Sequence, residues 1–345
     1  MKNLSIQALE QTDTVVLDHG TGARLSRELV ELIAEILGDT YLGTMEDSAL
    51  LDLPSRQIAF TTDSFVVTPL IFGNGDIGKI AVCGTVNDLA VSGARPLYLT
   101  LSLIIEDGMP ISELVTVIES VRDTAVAADV KIVAGDTKVV GKGEADRLFI
   151  NTAGVGVLEH SPVSIKNVRP GQKIILSGYI GNHSIHLLSL REGLGFERNI
   201  LSDCAPLNMM IRQLLDTVPA GKITSMRDVT RGGLSAVLHE HARVAKHEMR
   251  CERQSLPIQP ETAMAASMLG VDVINLANEG CLCLFVESDS AEEVLRLLQA
   301  HPLGQKAAII GEVLTFPQAK VSMLEQDGTV STIEELYGAE LPRLC

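Results

Sequence analysis

Apolar residues recur at helical spacing in several parts of this 345-residue chain. Leu25, Leu29, Leu32, Ile33, Ile36 and Leu37 predict an amphipathic helix, and a second is expected over Ile111 to Ala128. Between Asp76 and Leu99, Lys79, Cys83, Val86 and Ala90 fall at helical spacing, and Ile80, Val82 and Leu89 widen the apolar side. Gly93 supplies a stop there, and Pro96 keeps the helix out of the strand-like Leu97 to Ile105. Strand patterns cover Gln57 to Val67, Val130 to Ala134, Arg147 to Leu158, Lys173 to Ser177 and Cys281 to Val286. Further helices are expected from Ile185 to a stop at Gly193, from Leu234 to Ala245, and within Glu287 to Leu298. Ala319 to Leu324 and Thr329 to Ile333 flank the hairpin signal Asp327-Gly328. Strands alternating with helices argue for an α/β chain. The apolar-poor stretch His160 to Gly171, with Pro162, Pro170 and Gly171, is the expected boundary. The division is therefore 1–160, 161–333 and a tail, 334–345.

Charge narrows the partners. A net charge of -16, no Trp and 3% aromatic residues exclude a nucleic-acid scaffold and an anionic-membrane binder, leaving small molecules and proteins. No leader pattern and no membrane-length apolar run stand out, so a cytoplasmic protein is expected. The six cysteines form no C-x-x-C pair and no zinc spacing, which argues against a disulfide framework. Cys281 and Cys283 are expected to pack as small hydrophobes, and His183 and His186, with no third ligand nearby, as satisfied or exposed histidines.

The candidate chemistry lies where the apolar pattern is interrupted. Asn87 and Asp88 sit inside a helical apolar sequence, where short polar side chains compete with helical hydrogen bonding. Asp88 reads either as a satisfied polar group or as a cation ligand. Asp63, in Thr61-Thr62-Asp63-Ser64, reads either as a strand end bonded into a loop or as part of a metal site. Asp47 follows Glu46, and Asp136 opens Asp136-Thr137-Lys138 after a short buried strand. Asp47, Asp63, Asp88 and Asp136 all adjoin small or hydroxyl residues near element ends, a pattern suited to magnesium if they converge. Two glycine-bearing loops at helix entrances, Asp18 to Arg24 and Met226 to Gly233, read as anion cradles or as plain turns.

Taken together, the stretches His19 to Arg24, Glu46-Asp47, Thr62 to Ser64, Gly84 to Pro96, Gly135 to Val140, Phe149 to Gly156, Asp228 to Gly233 and Asn278 to Gly280 resemble a known superfamily, that of aminoimidazole ribonucleotide synthetase and selenophosphate synthetase. Gly135 to Val140 and the terminal Pro342-Arg343-Leu344-Cys345 resemble, within it, the HypE family of hydrogenase maturation factors. The likeness runs over nearly the entire chain. It departs at Ala23, where a glycine is common, at Asn182-His183-Ser184, and at Leu344 in place of Ile, which bears on the loop contacts of Gly22 and Asn182.

The resemblance implies a two-domain α/β (α+β) fold of the PurM-like type, with an N-terminal sheet pairing across a homodimer and a C-terminal domain closing over ATP. The implied reaction is ATP-dependent dehydration of a carbamoyl group on Cys345 to a thiocyanate, the source of cyanide for the iron of NiFe-hydrogenase. Cys345 is then the covalent carrier, while Lys138 and Glu279 stabilise the phosphorylated oxygen and take protons, in either order. Implied nucleotide contacts are Gly20, Gly22, Asn87, Thr137, Asp228, Arg231 and Asn278, and implied magnesium ligands are the four aspartates. Implied partners are a HypF-type carbamoyltransferase and the HypC–HypD iron–cyanide assembly complex. A selenophosphate synthetase would carry a reactive Cys near its N-terminus, and the first here is Cys83. The other alternative is a non-catalytic carrier presenting a modified Cys345.

Overall fold

A computed structural model describes residues 14–20, 24–42, 53–54, 57–161, 163–316 and 318–336. They form two compact units. One takes in the described residues up to Val86 together with Pro96–Val157, and the other Asn87–Arg95 together with those from Leu158 onward. In chain order, the first half contains α1 (Arg24–Leu37), β1 (Ile58–Phe65), the short pair β2 (Ile71–Phe72) and β3 (Gly75–Asp76), α2 (Ile77–Val91), β4 (Ala94–Glu106), α3 (Ile111–Ala127), β5 (Lys131–Val140) and β6 (Leu148–Leu158). The second contains β7 (Lys173–Leu176), α4 (Asn182–Glu192), α5 (Asn208–Thr217), β8 (Ile223–Asp228), α6 (Gly233–Ala245), β9 (Glu248–Glu252), α7 (Pro260–Leu269), β10 (Leu282–Val286), α8 (Ala291–Ala300), β11 (Ala308–Leu314), β12 (Lys320–Leu324) and β13 (Val330–Thr332).

The first unit is built on a four-stranded sheet in the order β1-β6-β4-β5. β1 runs antiparallel to β6, and β4 parallel to β5. Alternate residues are buried: Leu99, Leu101, Leu103 and Ile105 on β4, and Leu148 and Ile150 on β6. This face packs on α2, where the Thr152 hydroxyl meets the Thr85 hydroxyl and the Ala81 carbonyl. On β1 and β4, Ile58, Phe60 and Ile104 remain exposed, Phe60 at 67%. Period-two alternation is the sequence mark of a sheet packed on one face.

The second unit has seven strands in the order β13-β12-β9-β11-β7-β10-β8, covered on both faces. Ile174, Leu176, Cys283 and Phe285 pack with Leu234, Val237 and Leu238 of α6. Ile175, Leu282, Leu284 and Val286 instead pack with Ile211 and Leu214 of α5 and Val294 and Leu298 of α8. Two covered faces turn β7 and β10 into unbroken apolar runs. The Phe285 ring stacks on His241 at 4.1 Å. Cys281 and Cys283 are packed away as expected, and burial pushes the thiols of Cys251 and Cys281 up to about 12.

Three boundaries near the candidate residues differ from the sequence pattern. β5 continues through Gly135 to Val140 because β4 runs on beside it to Glu106, so Asp136 and Lys138 are strand residues rather than loop residues. An ideal Cβ at Gly135 would come within 2.6 Å of the Leu101 carbonyl oxygen, which explains the glycine. α4 begins at Asn182, three residues before Ile185. Met226 to Asp228 belong to β8, where pairing with β10 satisfies a segment that reads as a polar loop. Among the described residues no helix is long and apolar enough to cross a membrane.

Candidate functional site

Within the first unit, Gly20 closes the turn Leu17–Gly20 against β5. An ideal Cβ on it would stand 3.0 Å from both the Val139 nitrogen and Cβ, so glycine lets this turn lie on the strand that carries Lys138. Asp63 lies on the face of β1 turned toward α2. Its carboxylate is beside Gly84, where a Cβ would stand 3.4 Å from Asp63 Oδ2 and 2.8 Å from the Phe65 ring. The close approach of the Phe65 ring is what requires glycine at that point. From β6, Asn151 Nδ2 donates to the Asp63 carbonyl (2.7 Å) and to Ser64 Oγ (3.0 Å), fixing this end of the ladder.

On the other edge of the sheet, Lys138 Nζ donates to Asp136 Oδ1 at 2.9 Å, and Thr137 N donates to the same oxygen at 2.9 Å. Both charged side chains are well exposed, at 64% and 59%. They lie beside Ile104 and Ser102 of β4. β1 and β5 are opposite edges of this sheet, and Asp136 is bonded to Lys138.

The residues assigned to the second unit are mostly buried. Asn87 donates to the Ala205 carbonyl (3.2 Å) and accepts from Leu207 N (2.7 Å), so its amide tethers the segment before α5. Asp88 follows, half-buried. Asp228 ends β8 opposite Leu282 and is buried, whereas Arg231 is exposed in the turn that leads into α6. Gly232 and Gly233 take φ of +76° and +62°, and a Cβ on Gly233 would reach the Ile274 carbonyl oxygen at 2.5 Å. Turn geometry and close packing thus account for both glycines.

Asn278 is fully buried and bonded on two sides. Its Oδ1 accepts from Gly181 N (2.7 Å), and its Nδ2 donates to the carbonyls of Val229 (2.9 Å) and Leu276 (3.1 Å). Glu279 beside it is 9% exposed. The Glu279 and Gly280 nitrogens donate to Asp203 Oδ1 and Oδ2 at 3.0 and 3.1 Å. Asp203 has no counterpart among the sequence-derived candidates, because it sits in an irregular stretch with no periodicity to interrupt. His183 and His186 are satisfied core histidines. The first bonds Ser202 Oγ at 2.8 Å, with burial holding its pKa down to about 3, and the second faces the Ile200 carbonyl at 2.7 Å. Asn182 is likewise engaged, by Gln259 and Thr262.

Among the described residues, no group of three or more His, Cys, Asp or Glu is placed to hold a metal ion. Asp47, Gly22 and Cys345 lie outside the described residues. The chain leading toward Cys345 is described as far as Leu336. Just before that point Arg243 of α6 binds both oxygens of Glu335 at 2.8 Å, and His239 Nε2 lies 3.1 Å from the Ile333 carbonyl.

Comparison with known proteins gives concordant matches. Residues 45–158 match the N-terminal domain, and residues 169–322 the C-terminal domain, of AIR synthase related proteins. The carbamoyl dehydratase HypE of Escherichia coli K12 is 41% identical, over 96% of this chain and all of its own. A crystal structure of hydrogenase maturation protein HypE in complex with ATP superimposes with a TM-score of 0.91 at 38% identity, covering 96% of this chain and all of that one. A HypE–HypF complex is similar with a TM-score of 0.78 at 43% identity, covering 89% and 99%.

Proposed function

Because the chain belongs to the HypE family of carbamoyl dehydratases, within the AIR synthase related proteins, we propose that it dehydrates a carbamoyl group carried on Cys345 to a thiocyanate at the expense of ATP. The observation that carries this reading is likeness at 41% identity across 96% of the chain. The nitrile supplies the cyanide ligands of NiFe-hydrogenase iron.

Amide oxygen is a poor leaving group. Transfer of the ATP γ-phosphoryl group to the carbamoyl oxygen, with loss of one N–H proton, gives an O-phosphorylated imidate and ADP. Breaking the C–O bond and removing the second N–H proton gives the S-bound nitrile and inorganic phosphate. Glu279, a buried carboxylate on a clamped turn, is the proton acceptor. Lys138, an exposed ammonium oriented by Asp136, faces the charge that develops on the transferred oxygens. Gly20, Gly22, Thr137, Asp228 and Arg231 hold the nucleotide, and Asn87 and Asn278 shape its surroundings through the backbone they bind.

Magnesium is part of this reading. Its candidate ligands are the carboxylates of Asp47, Asp63, Asp88 and Asp136, oxygen donors of the kind a hard cation takes. When bound, the ion would neutralise charge on the ATP phosphates.

Cys345 is loaded by a HypF-type carbamoyltransferase, and the nitrile passes to the HypC–HypD complex. The tail from about Glu334 onward carries it, and its last ten residues span at most about 36 Å when fully extended. Two copies pair through the open sheet face that carries Ile58, Phe60 and Ile104, in the cytoplasm.

The test is mass spectrometry of the C-terminal peptide after incubation with the carbamoyltransferase, carbamoyl phosphate, ATP and magnesium. A carbamoyl adduct on Cys345 that loses water only with ATP is expected, and Cys345→Ala abolishes both species. A carbamoyl or cyano adduct on another cysteine in that variant, with hydrogenase maturation retained, overturns the reading.

A further inference from the structure

The segment Ser202 to Leu207 has no regular structure, yet most of it is buried and it is tied down on both sides. Ser202 Oγ pairs with His183 Nδ1 (2.8 Å) and accepts from Cys204 N (3.1 Å). At the far end, the Asn87 amide binds the backbone of Ala205 and Leu207. Between these anchors Asp203 turns both carboxylate oxygens onto successive backbone N–H groups, those of Glu279 (3.0 Å) and Gly280 (3.1 Å). The approach is close enough that a Cβ on Gly280 would collide with the Asp203 carbonyl oxygen. On the opposite side, Asn278 is bonded to Gly181, Val229 and Leu276. The main chain of Glu279 is thus held from two directions, and the Asp203 half of the grip uses charge-assisted bonds.

We propose that Asp203 is a positioning residue for the dehydration step, whose paired oxygens fix the backbone of Glu279 and thereby the place from which its carboxylate takes the proton. The proposal rests on the reading of Glu279 as proton acceptor. A buried hydrogen-bonded turn would hold its shape with any polar clamp. A proton acceptor, however, must stay within hydrogen-bond reach of a nitrogen that is itself losing charge density, where a shift of about 1 Å costs on the order of 100-fold. Asparagine has the same shape but offers one acceptor and one donor, so one of the two N–H groups would face another donor.

The experiment follows a single turnover of the full chain, loaded at Cys345 by the carbamoyltransferase, with saturating ATP and magnesium. Carbamoyl and cyano forms of the C-terminal peptide are counted by mass spectrometry. Asp203→Asn is expected to slow conversion by about 10- to 100-fold while ATP affinity, measured by calorimetry, changes by less than about two-fold. Asp203→Glu, which keeps both acceptor oxygens, should recover part of the rate at the same ATP affinity. A rate equal to that of the unaltered chain, or an ATP affinity that falls as far as the rate, overturns the proposal. Glu279→Gln separates the two levels. If it converts at the normal rate, the reading of Glu279 fails and the proposal with it. If it is slow while Asp203→Asn is normal, only the proposal fails. Asp203→Ser, smaller and with one acceptor, is held to the same outcomes if the asparagine variant does not fold.

Discussion

The two units handle the same problem, a sheet that must hide its apolar side, in opposite ways. The four-stranded sheet packs α2 on one face and leaves Ile58, Phe60 and Ile104 exposed on the other. The seven-stranded sheet is packed on both faces, so Leu282 to Val286 of β10 is buried without a break. Candidate chemistry follows the same division. Lys138 and Asp136 stand in solvent on a sheet edge, free to meet a second surface, whereas Asn278 and Glu279 are walled in and bonded through their backbone. A rigid buried turn suits a group that must be placed within tenths of an ångström, and an exposed ion pair suits one whose task is electrostatic.

The largest expected effect lies on the buried side of that contrast. Glu279→Gln should slow conversion of carbamoylated to cyanated Cys345 by about 100- to 10,000-fold, the usual range for losing a positioned acid or base. Lys138→Ala should cost less, about 10- to 100-fold, because an exposed ammonium works through a higher dielectric. Single-turnover rates measured by mass spectrometry check both, and the reverse ranking would break the comparison.

Stability should divide the same way. Phe285→Ala removes a fully buried ring that stacks on His241, and is expected to destabilise the second unit by about 3–5 kcal/mol in urea unfolding. Phe60→Ala, on the open face of the other sheet, should stay within about 0.5 kcal/mol for the separated chain. Equal losses would mean that Phe60 is covered within its own chain.

Much of the fold was legible because packing writes itself into period. The α1 and α3 faces, the alternation on β1 and the continuous run on β10 each state which sides are covered. Legibility ended where a neighbouring strand decides the outcome. Nothing within Gly135 to Val140 says that β4 extends far enough to pair with it, and Met226 to Asp228 becomes strand only because β10 lies alongside. Asp63 and Asp136 were legible as interruptions of an apolar pattern, whereas Lys138 and Glu279 drew their roles from the family resemblance. Their arrangement was not legible. That Asp136 is bonded to Lys138, and that Asp203 binds the backbone of a turn 76 residues away in sequence, shows only in the structure.

A smaller effect should appear on acidification. Burial lowers the pKa of His183 to about 3 and that of His241 to about 4, so both rings are neutral when folded. His241 Nδ1 donates to the Val237 carbonyl at 2.7 Å, and its Nε2 is 2.9 Å from Ser225 Oγ, where a neutral ring accepts the hydroxyl proton. In the unfolded chain both titrate near 6.5. Their depressed folded values favour the native state fully above about pH 6.5, and that contribution is lost as pH falls toward 4 and then 3, by up to about 1.4 kcal/mol per pH unit for each ring. Urea midpoints of the second unit at pH 7.5, 6 and 5, values chosen to straddle about 6.5, should fall in that order. His241→Gln should flatten the trend, and an unchanged slope in that variant would show that the ring is not the source.

The smallest change to the chain's own stability, and the sharpest test of the open face, is Phe60→Lys. Phe60 lies opposite Val155 in the antiparallel register of β1 and β6, so a lysine there keeps its ladder and extends into water when the chain is alone. Folding of the separated chain should therefore shift by no more than about 0.5 kcal/mol. If a second copy covers this face, the same ammonium loses its water against the partner's apolar side chains, where an unpaired charge is costly. The dimer dissociation constant should then rise by at least about 10-fold, equivalent to 1.4 kcal/mol. Sedimentation at micromolar concentration should show a dimer for the unaltered chain and a monomer for the variant, with matching circular dichroism. A dimer that survives Phe60→Lys would place the contact elsewhere. A monomer already in the unaltered chain would leave the one-sided sheet uncovered in solution, and the contrast between the two units would then lie in what each tolerates exposing.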